Sequence, residues 1–479
     1  MKNLKTEKVF YYFEEICRIP HISFHTEAIR DYVEQFAIEH HLRYVKDNNG
    51  NIVIYKPASN GYEEHKPVII QGHLDMVGAK EENSTHDFLK DPIVIDEDEL
   101  KKGIITAKGT TLGADDGIAI AYALAILDDD SLMHPSLEVV FTTNEEVGLL
   151  GATDFDCSLL RGKTLLNIDS EEEGIFLTGS AGGMRLDVNI PVNTCYVDSD
   201  MVTITVSGLM GGHSGDKIGT GRPSANVLMG RVLGKISENT GIMVSSVSGG
   251  VVDNAISTKC IAKLVCGRPE EIESICGIIQ KELVQEYMGI EDNISVSVEL
   301  SAKYSGNVID DAGSRKLVMA LRSMPQGVMM RNPDCHEMVE TSLNLGILNV
   351  DTDGIRMGYS IRSSIESAKY ELAERIKYIT EFLGGTVSTS GIYPAWTYNP
   401  VSNVRNIIGE VYKKQTGREP VMKTIHAGLE CGIFYNRIPG LDIVSYGPDI
   451  YDIHTYDERM ETESVKRVYE LTVELLRRL

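Results

Sequence analysis

Apolar and polar positions alternate in blocks over roughly the first 180 residues. Short apolar runs have the length of buried strands, and segments with helical patterns separate them; the runs lie at 67–71, 137–143 and 164–168. Strands that are buried on both faces read as continuous apolar runs, and in parallel sheets helices connect them. The pattern therefore predicts an α/β fold built on a doubly wound sheet.

From about residue 181 the pattern changes to strict alternation of apolar and polar residues. Clear examples are the segments 201–206, 294–300 and 354–364. Alternation is typical of strands with one buried and one solvated face, so this region predicts a separate α+β domain. Amphipathic helical patterns lie between its strands, at 224–236, 269–287, 315–323 and 368–383.

The α/β pattern returns near residue 395, with helical patterns at 402–415 and 463–478 and an apolar strand at 441–445. A chain of 479 residues is longer than one hydrophobic core requires. We therefore predict a discontinuous α/β domain at 1–180 and 395–479, with an inserted α+β domain at 181–394.

Composition excludes several classes of partner. The net charge is −24, which disfavours nucleic acid and anionic membrane surfaces because both require a basic surface. No stretch reaches the ~18–20 apolar residues of a membrane span, and the N-terminus does not resemble an export signal. The eight cysteines include no CxxC pair, so we expect free thiols and a cytoplasmic location.

Acidic and histidine residues follow the predicted strands of the α/β domain. Ligand sites in such sheets form at the carboxyl ends of the strands, so these side chains are expected to converge. Each of these short motifs alone is more often ordinary turn chemistry, but five segments together predict a metal site. The residues are His73, Asp75, Asp115, Glu145, Glu146, Asp169 and His454.

Imidazole and carboxylate ligands without thiolate suit Zn²⁺, with Co²⁺ or Mn²⁺ as alternatives. The set exceeds the needs of one tetrahedral ion, so we predict two Zn²⁺ per chain, bridged by a carboxylate and a hydroxide. Amide cleavage also needs a general base. The adjacent Glu145 and Glu146 can supply a base and a ligand.

Six motifs together resemble the co-catalytic zinc exopeptidases, and within them the aminoacyl-histidine dipeptidase branch. The order along the chain is the one seen in that family, and the similarity spans both predicted domains. The motifs are HLD at 73–75, TTLGADDG at 110–117, TTNEEVG at 142–148, NID at 167–169, GGHSGDKIGTGRPSAN at 211–226 and IHT at 453–455.

The resemblance implies a role for each residue of the metal site. Asp115 bridges the two ions, and the peptide bond that follows it, to Asp116, is cis. His73 and Asp169 bind one zinc, and Glu146 and His454 bind the other. Glu145 is the general base, and Asp75 orients His73 and raises its basicity.

The resemblance also implies roles in the inserted domain, which acts as a lid. His213 donates a hydrogen bond to the tetrahedral oxyanion, within its own subunit or across a homodimer formed through the lid. Asn226 and Arg362 bind the substrate's C-terminal carboxylate, and His426 and Gly428 belong to a substrate-binding loop. We further expect Glu430 to contact the free α-amine.

The expected function is metal-dependent hydrolysis of dipeptides, Xaa-His and β-alanyl-histidine among them. Two other enzymes remain open on the same framework, an N-acyl-amino-acid deacylase and a tripeptidase. A non-catalytic binding protein that keeps the metal pocket as a scaffold is the remaining alternative. The intact Glu145 favours an enzyme, because a scaffold has no use for a base beside a ligand.

Overall fold

A computed structural model describes residues 4–265, 268–333 and 338–479, and these form two compact units. The first unit comprises residues 4–180, Trp396–Ile425 and Leu429–Leu479, and the second comprises Ala181–Ala395 and His426–Gly428. The sequence places residues 426–428 in the α/β domain. They group instead with the second unit, where the His426 ring bonds to Ser342.

The first unit is built on an eight-stranded sheet. The strands at its centre are parallel, as the continuous apolar runs predict, and the α/β fold class is confirmed. The sheet is mixed, however, because antiparallel pairs occur at one edge and beside Ile175–Ser180. In spatial order the strands are Arg43–Lys46, Ile52–Lys56, Leu137–Thr142, Val68–His73, Thr164–Asn167, Asp442–Ser445, Ile175–Ser180 and Val421–Ile425.

Helices and a small second sheet complete the first unit. Ile450–Tyr451, Arg459–Glu461 and Ile104–Thr106 form the three-stranded sheet. The described helices are Leu4–Cys17, Glu27–Glu39, Glu97–Leu100, Ala114–Leu127, Leu150–Asp154, Asn403–Thr416, Glu430–Arg437 and Thr462–Arg478, with a 3₁₀ turn at Cys157–Leu159.

The helix Ala114–Leu127 lies at the centre of the first unit's core. Almost every residue of this helix is buried, which explains its apolar composition on all sides. The strand Val68–His73 packs closely against it at Gly72. A β-carbon at Gly72 would lie 2.5 Å from Cβ of Ala119 and 2.6 Å from an oxygen of Asp116. The absent side chain therefore permits the close approach that brings His73 to the start of the helix.

The second unit contains a nine-stranded sheet in which every described pair is antiparallel. In spatial order its strands are Ser295–Ile309, Thr194–Ser207, Cys260–Val265, Met243–Gly249, Val339–Asp351, Gly354–Ser363, Gly182–Ile190 and Thr386–Tyr393, and Gly327–Arg331 pairs beside Val339–Asp351. A separate two-stranded ribbon joins Gly212–His213 to Ala255–Ile256. The alternation in the sequence matches this arrangement, because alternate residues of strands such as Gly182–Ile190 and Cys260–Val265 contribute to the core.

Helices cover the second unit's sheet and close its own hydrophobic core. They are Ser214–Lys217, Ala225–Thr240, Pro269–Glu286, Asp311–Ser323 and Glu366–Phe382, with a 3₁₀ turn at Ile218–Thr220. Across the described parts of both units, none of the helices combines the length and the apolar character needed to cross a membrane.

We predict that Gly72→Ala lowers the free energy of unfolding by about 1–3 kcal/mol, because the added methyl overpacks the contact with the helix. Gly277→Ala is the control, since no atom lies within 4 Å of its added β-carbon in the helix Pro269–Glu286. Denaturant unfolding of both variants measures the difference. Equal stabilities for the two variants would show that the strand and helix do not approach this closely.

Candidate active site

In the first unit, the carboxylate of Asp115 lies between two imidazoles. One oxygen, Oδ1, lies 3.1 Å from Nε2 of His73, and the other, Oδ2, lies 3.2 Å from Nε2 of His454. His73 Nε2 is also 3.6 Å from Asp169, and His454 Nε2 is 3.0 Å from Glu146. The two imidazoles and three carboxylates that the sequence predicts as ligands therefore form one continuous cluster.

Glu145 borders the same cluster. Its Oε2 lies 4.0 Å from His73 Nε2, beyond ordinary hydrogen-bond distance. Burial raises the pKa of Glu145 well above its ordinary value, and the neighbouring carboxylates of Asp169 and Glu430 add to the effect. A carboxyl group with a raised pKa is suited to accept and return a proton near neutral pH.

The ring of His73 is oriented by main-chain atoms. Its Nδ1 lies 2.9 Å from the carbonyl oxygen of Asp75, whereas the Asp75 carboxylate is 3.7 Å away. A carbonyl only accepts, so Nδ1 donates to it and Nε2 is the ring atom that faces Asp115. Asp75 therefore contacts the ring through its main-chain carbonyl, and its effect on the basicity of His73 stays a prediction.

The Asp75 carboxylate instead holds the turn that carries the two glutamates. It accepts hydrogen bonds from the main-chain N–H groups of Glu145 (2.9 Å) and Glu146 (3.3 Å). The hydroxyl of Ser23 donates a third bond at 2.8 Å. Asp75 is thus a buried acceptor for this turn, and it fixes the main-chain positions of both glutamates.

Opposite charges shift the pKa values inside the cluster. Burial alone would lower the pKa of His73, but bonds to Asp115 and Asp169 outweigh it and hold the pKa well above the usual value. Burial also acts to lower the pKa of His454, but its bonds to Asp115 and Glu146 outweigh burial and raise the pKa to about 11. Burial raises the pKa of Asp169, whereas the two imidazoles lower that of Asp115 despite its burial. The carboxylates therefore need positive charge beside them.

These residues fit a divalent cation. Ligand atoms lie within 4.8 Å of one another in each of three groups: His73 with Asp116 and Asp169, His73 with Glu145 and Glu146, and Asp115 with Glu146 and His454. Oδ2 of Asp169 is buried without a hydrogen-bond partner in the described structure, as expected of an oxygen reserved for a cation. The nitrogen and oxygen donors suit zinc, cobalt or manganese.

The first group includes Asp116, which the sequence reading does not assign as a ligand. Its Oδ2 accepts the backbone N–H of His73 at 3.1 Å, and it is buried. That bond ties the end of the strand Val68–His73 to the start of the helix. The peptide bond between Asp115 and Asp116 is cis, which confirms this expectation of the resemblance.

The second unit contains its own polar cluster, centred on Tyr393. The Arg362 guanidinium donates to the Tyr393 hydroxyl at 3.0 Å and lies 3.3 Å from Nε2 of His213. A β-carbon on Gly183 would lie 2.2 Å from the Tyr393 ring, and one on Gly428 would lie 2.6 Å from it. Two predicted residues, Arg362 and Gly428, therefore meet at this tyrosine, and a third, His213, contacts Arg362.

Tyr393 is not among the site residues that the sequence predicts. Its position follows from strand pairing in the structure, where Gly183 is opposite Arg362 on one neighbouring strand and opposite Tyr393 on the other. The buried Lys369 also donates to the Tyr393 carbonyl at 2.8 Å. A tyrosine seated between two glycines is held in place by its surroundings.

Arg362 is a buried cation, and among the described residues it has no carboxylate partner. Only 8% of the residue is exposed, and no carboxylate of the described chain lies within ion-pair distance of it. Its Nε is buried and lacks a hydrogen-bond partner there. Buried charges are normally paired, so this guanidinium is suited to an anionic ligand.

His426 lies near the same cation. Its Nε2 bonds to the Ser342 hydroxyl at 2.7 Å. Burial and the positive charge of Arg362 lower the pKa of His426 to about 3, so the imidazole is neutral at physiological pH.

Two residues predicted to contact the substrate are fully buried in this structure. Asn226 is fully buried, and its amide bonds to the carbonyls of Gly249 and Leu345 and to the Ser257 hydroxyl. Glu430 is also fully buried, and its Oε2 accepts from Gln71 and Thr142 at 2.5 and 2.6 Å. The roles of Asn226 and Glu430 in substrate binding stay predictions, and in this structure both side chains bond to neighbours in the interior.

Comparison with known proteins decides the family. The model of peptidase family M20/M25/M40 matches residues 69–478. The chain belongs to this family.

Two relatives extend the M20/M25/M40 assignment over the whole chain. A cytosol non-specific dipeptidase of Escherichia coli (strain K12) is 35% identical, and the match covers 100% of this chain and 99% of that protein. The crystal structure of an aminoacylhistidine dipeptidase from Vibrio alginolyticus has a TM-score of 0.90 at 34% identity, covering 98% and 96% of the two chains. The resemblance inferred from the motifs is confirmed at the level of the family.

A more distant fold match is the aminopeptidase PepT from Bacillus cereus ATCC 10987. Its TM-score is 0.57 at 15% identity, with 98% of each chain covered. At that identity the comparison shows a common fold and nothing about the substrate.

We predict that Arg362→Met raises the pKa of His426, because removing the cation removes one of the two causes that lower it. The pKa remains below the ordinary value of about 6.5, since the imidazole stays buried. Histidine-selective NMR titration measures this. His134 is the control, because burial lowers its pKa without any contribution from Arg362. An unchanged pKa of His426 would show that the positive charge of Arg362 does not act on this imidazole.

Proposed function

We propose that this protein is a metal-dependent dipeptidase that cleaves short peptides with free termini, Xaa-His and β-alanyl-histidine among them. The observation that carries the proposal is the Asp115 carboxylate between two imidazoles, with Glu145 beside it. The names of the two full-length relatives support dipeptides as substrates, and the cytosol dipeptidase supports a cytoplasmic location.

Five side chains would hold two divalent cations, for which zinc is the first choice. Asp115 would bridge them, with His73 and Asp169 at one ion and Glu146 and His454 at the other, in keeping with the contacts of each imidazole. When bound, such a pair polarises the scissile carbonyl and lowers the pKa of water.

Glu145 would move the proton. Its raised pKa suits a carboxylate that accepts a proton from the attacking water and then passes it to the leaving amine. The turn that carries Glu145 is fixed by the Asp75 carboxylate, so the base keeps its position while Glu146 acts as a ligand.

The cluster around Tyr393 would recognise the substrate's C-terminal carboxylate. That anion would supply the negative charge that the buried Arg362 lacks among the described residues, and a guanidinium can bind a carboxylate through two hydrogen bonds. Arg362 donates to Tyr393, so the tyrosine O–H proton is available for the same carboxylate.

His213 would stabilise the tetrahedral oxyanion. Arg362 donates toward its Nε2, which places the imidazole proton on Nδ1 and makes that atom the donor. A donor aimed at a developing oxyanion is worth about 3–4 kcal/mol in comparable enzymes.

A panel of substrates tests the proposal. We expect the zinc-loaded protein to cleave β-alanyl-histidine and alanyl-histidine, but not their N-acetylated forms. A C-terminal amide should lower kcat/KM by about tenfold or more, because Arg362 then stays unpaired. Chelation should abolish turnover, and added divalent metal should restore it.

Other outcomes of the panel would replace the proposal. Preference for N-acetylated substrates would indicate a deacylase, and preference for tripeptides would indicate a tripeptidase. Full activity after complete removal of metal would exclude the metal centre from the mechanism.

We predict that Glu145→Gln keeps the bound metal but lowers kcat by about 10²–10⁴-fold, because glutamine cannot take the proton. Glu146→Gln is the matched variant one residue away, and it should lower metal content as well. Metal analysis beside steady-state kinetics separates the two. A near-normal kcat for the Glu145 variant would remove this residue from proton transfer.

A further inference from the structure

One carboxylate in the first unit receives four consecutive main-chain N–H groups. Glu458 is 1% exposed and lies just before the short strand Arg459–Glu461. One of its oxygens accepts from Leu112 and Gly113 at 2.8 and 2.9 Å, and the other accepts from Ala114 and Asp115 at 2.8 and 3.3 Å. No other role described above uses Glu458.

These N–H groups belong to the loop and first turn that carry Asp115. The first N–H groups of a helix have no partner within the helix, and the Ncap residue here, Gly113, has no side chain to cap them. Gly113 is in the left-handed region with φ 72°, so this loop does not follow regular helical geometry. Glu458, which is distant along the chain, therefore supplies the hydrogen-bond acceptors that the Ncap residue of this segment cannot supply.

The same stretch of chain also carries His454, four residues before Glu458. Nε2 of His454 lies 3.2 Å from Oδ2 of Asp115, while Glu458 accepts a hydrogen bond from the backbone N–H of that aspartate. One short segment thus presents an imidazole to the Asp115 side chain and a carboxylate to its main chain.

We propose that Glu458 is a positioning residue for the metal centre, holding Asp115 so that its two oxygens face His73 and His454. The inference rests on the proposed function, because it requires cations at Asp115. The competing interpretation is a helix cap that contributes only to stability. The first unit offers a matched comparison: Glu138 is equally buried and accepts from the N–H groups of Arg161 and Gly162 at about 3 Å, on the strand Leu137–Thr142.

The test measures zinc affinity of the metal-free full-length protein by competition with a chromophoric chelator. Glu458→Gln replaces one acceptor oxygen with an NH₂ group that confronts two N–H donors. We expect its zinc affinity to fall by about 10–100-fold, the range found when groups that orient metal ligands are changed. Glu138→Gln should leave zinc affinity within about twofold, because its bonds lie on a different loop.

Two further variants keep the outcomes separable. If Glu458→Gln does not fold, as judged by far-UV circular dichroism, Glu458→Asp retains both oxygens on a shorter side chain and should still weaken zinc binding. Wild-type zinc affinity in the folded Glu458 variant would overturn the inference. Asp115→Asn tests the metal centre itself, and wild-type affinity in that variant would overturn the proposed function instead.

Discussion

The first unit's site depends on the Asp115 carboxylate, which directs one oxygen toward each of two imidazoles. The carboxylates of Glu146 and Asp169 extend this cluster, and Glu145 borders it. Carboxylates brought this close and out of water repel one another unless cations or protons stand between them. The raised pKa values of His73 and Glu145 express that requirement. Divalent metal is the partner that satisfies it and also supplies hydrolytic chemistry.

The fold creates this contact through backbone hydrogen bonds to buried carboxylates. Asp116 receives the N–H of His73, and Asp75 receives those of both glutamates. Glu458 receives four more around Asp115. Each of these carboxylates holds a main-chain segment in place, so the ligand side chains on that segment project from defined positions. The close packing at Gly72 brings strand and helix together so that these bonds can form.

The sequence predicts which side chains come together where strand direction alone decides their position. His73, Asp169 and the Glu145–Glu146 pair follow strands, and parallel strands bring their carboxyl ends to one edge of the sheet. The sequence does not reveal that Asn226 and Glu430 are buried, because a motif gives the order of residues but not the side on which a helical side chain is buried. Tyr393 had no local signal, since its place between Gly183 and Gly428 comes from segments distant in the chain.

The most direct test of the central claim is to locate metal by anomalous diffraction from crystals of zinc-loaded protein. The account predicts two peaks, each about 2.0–2.2 Å from a different oxygen of Asp115 and about 3.5–4 Å from each other. One peak should lie beside Nε2 of His73 and the other beside Nε2 of His454. A fully loaded crystal with no anomalous density at Asp115 would contradict the account.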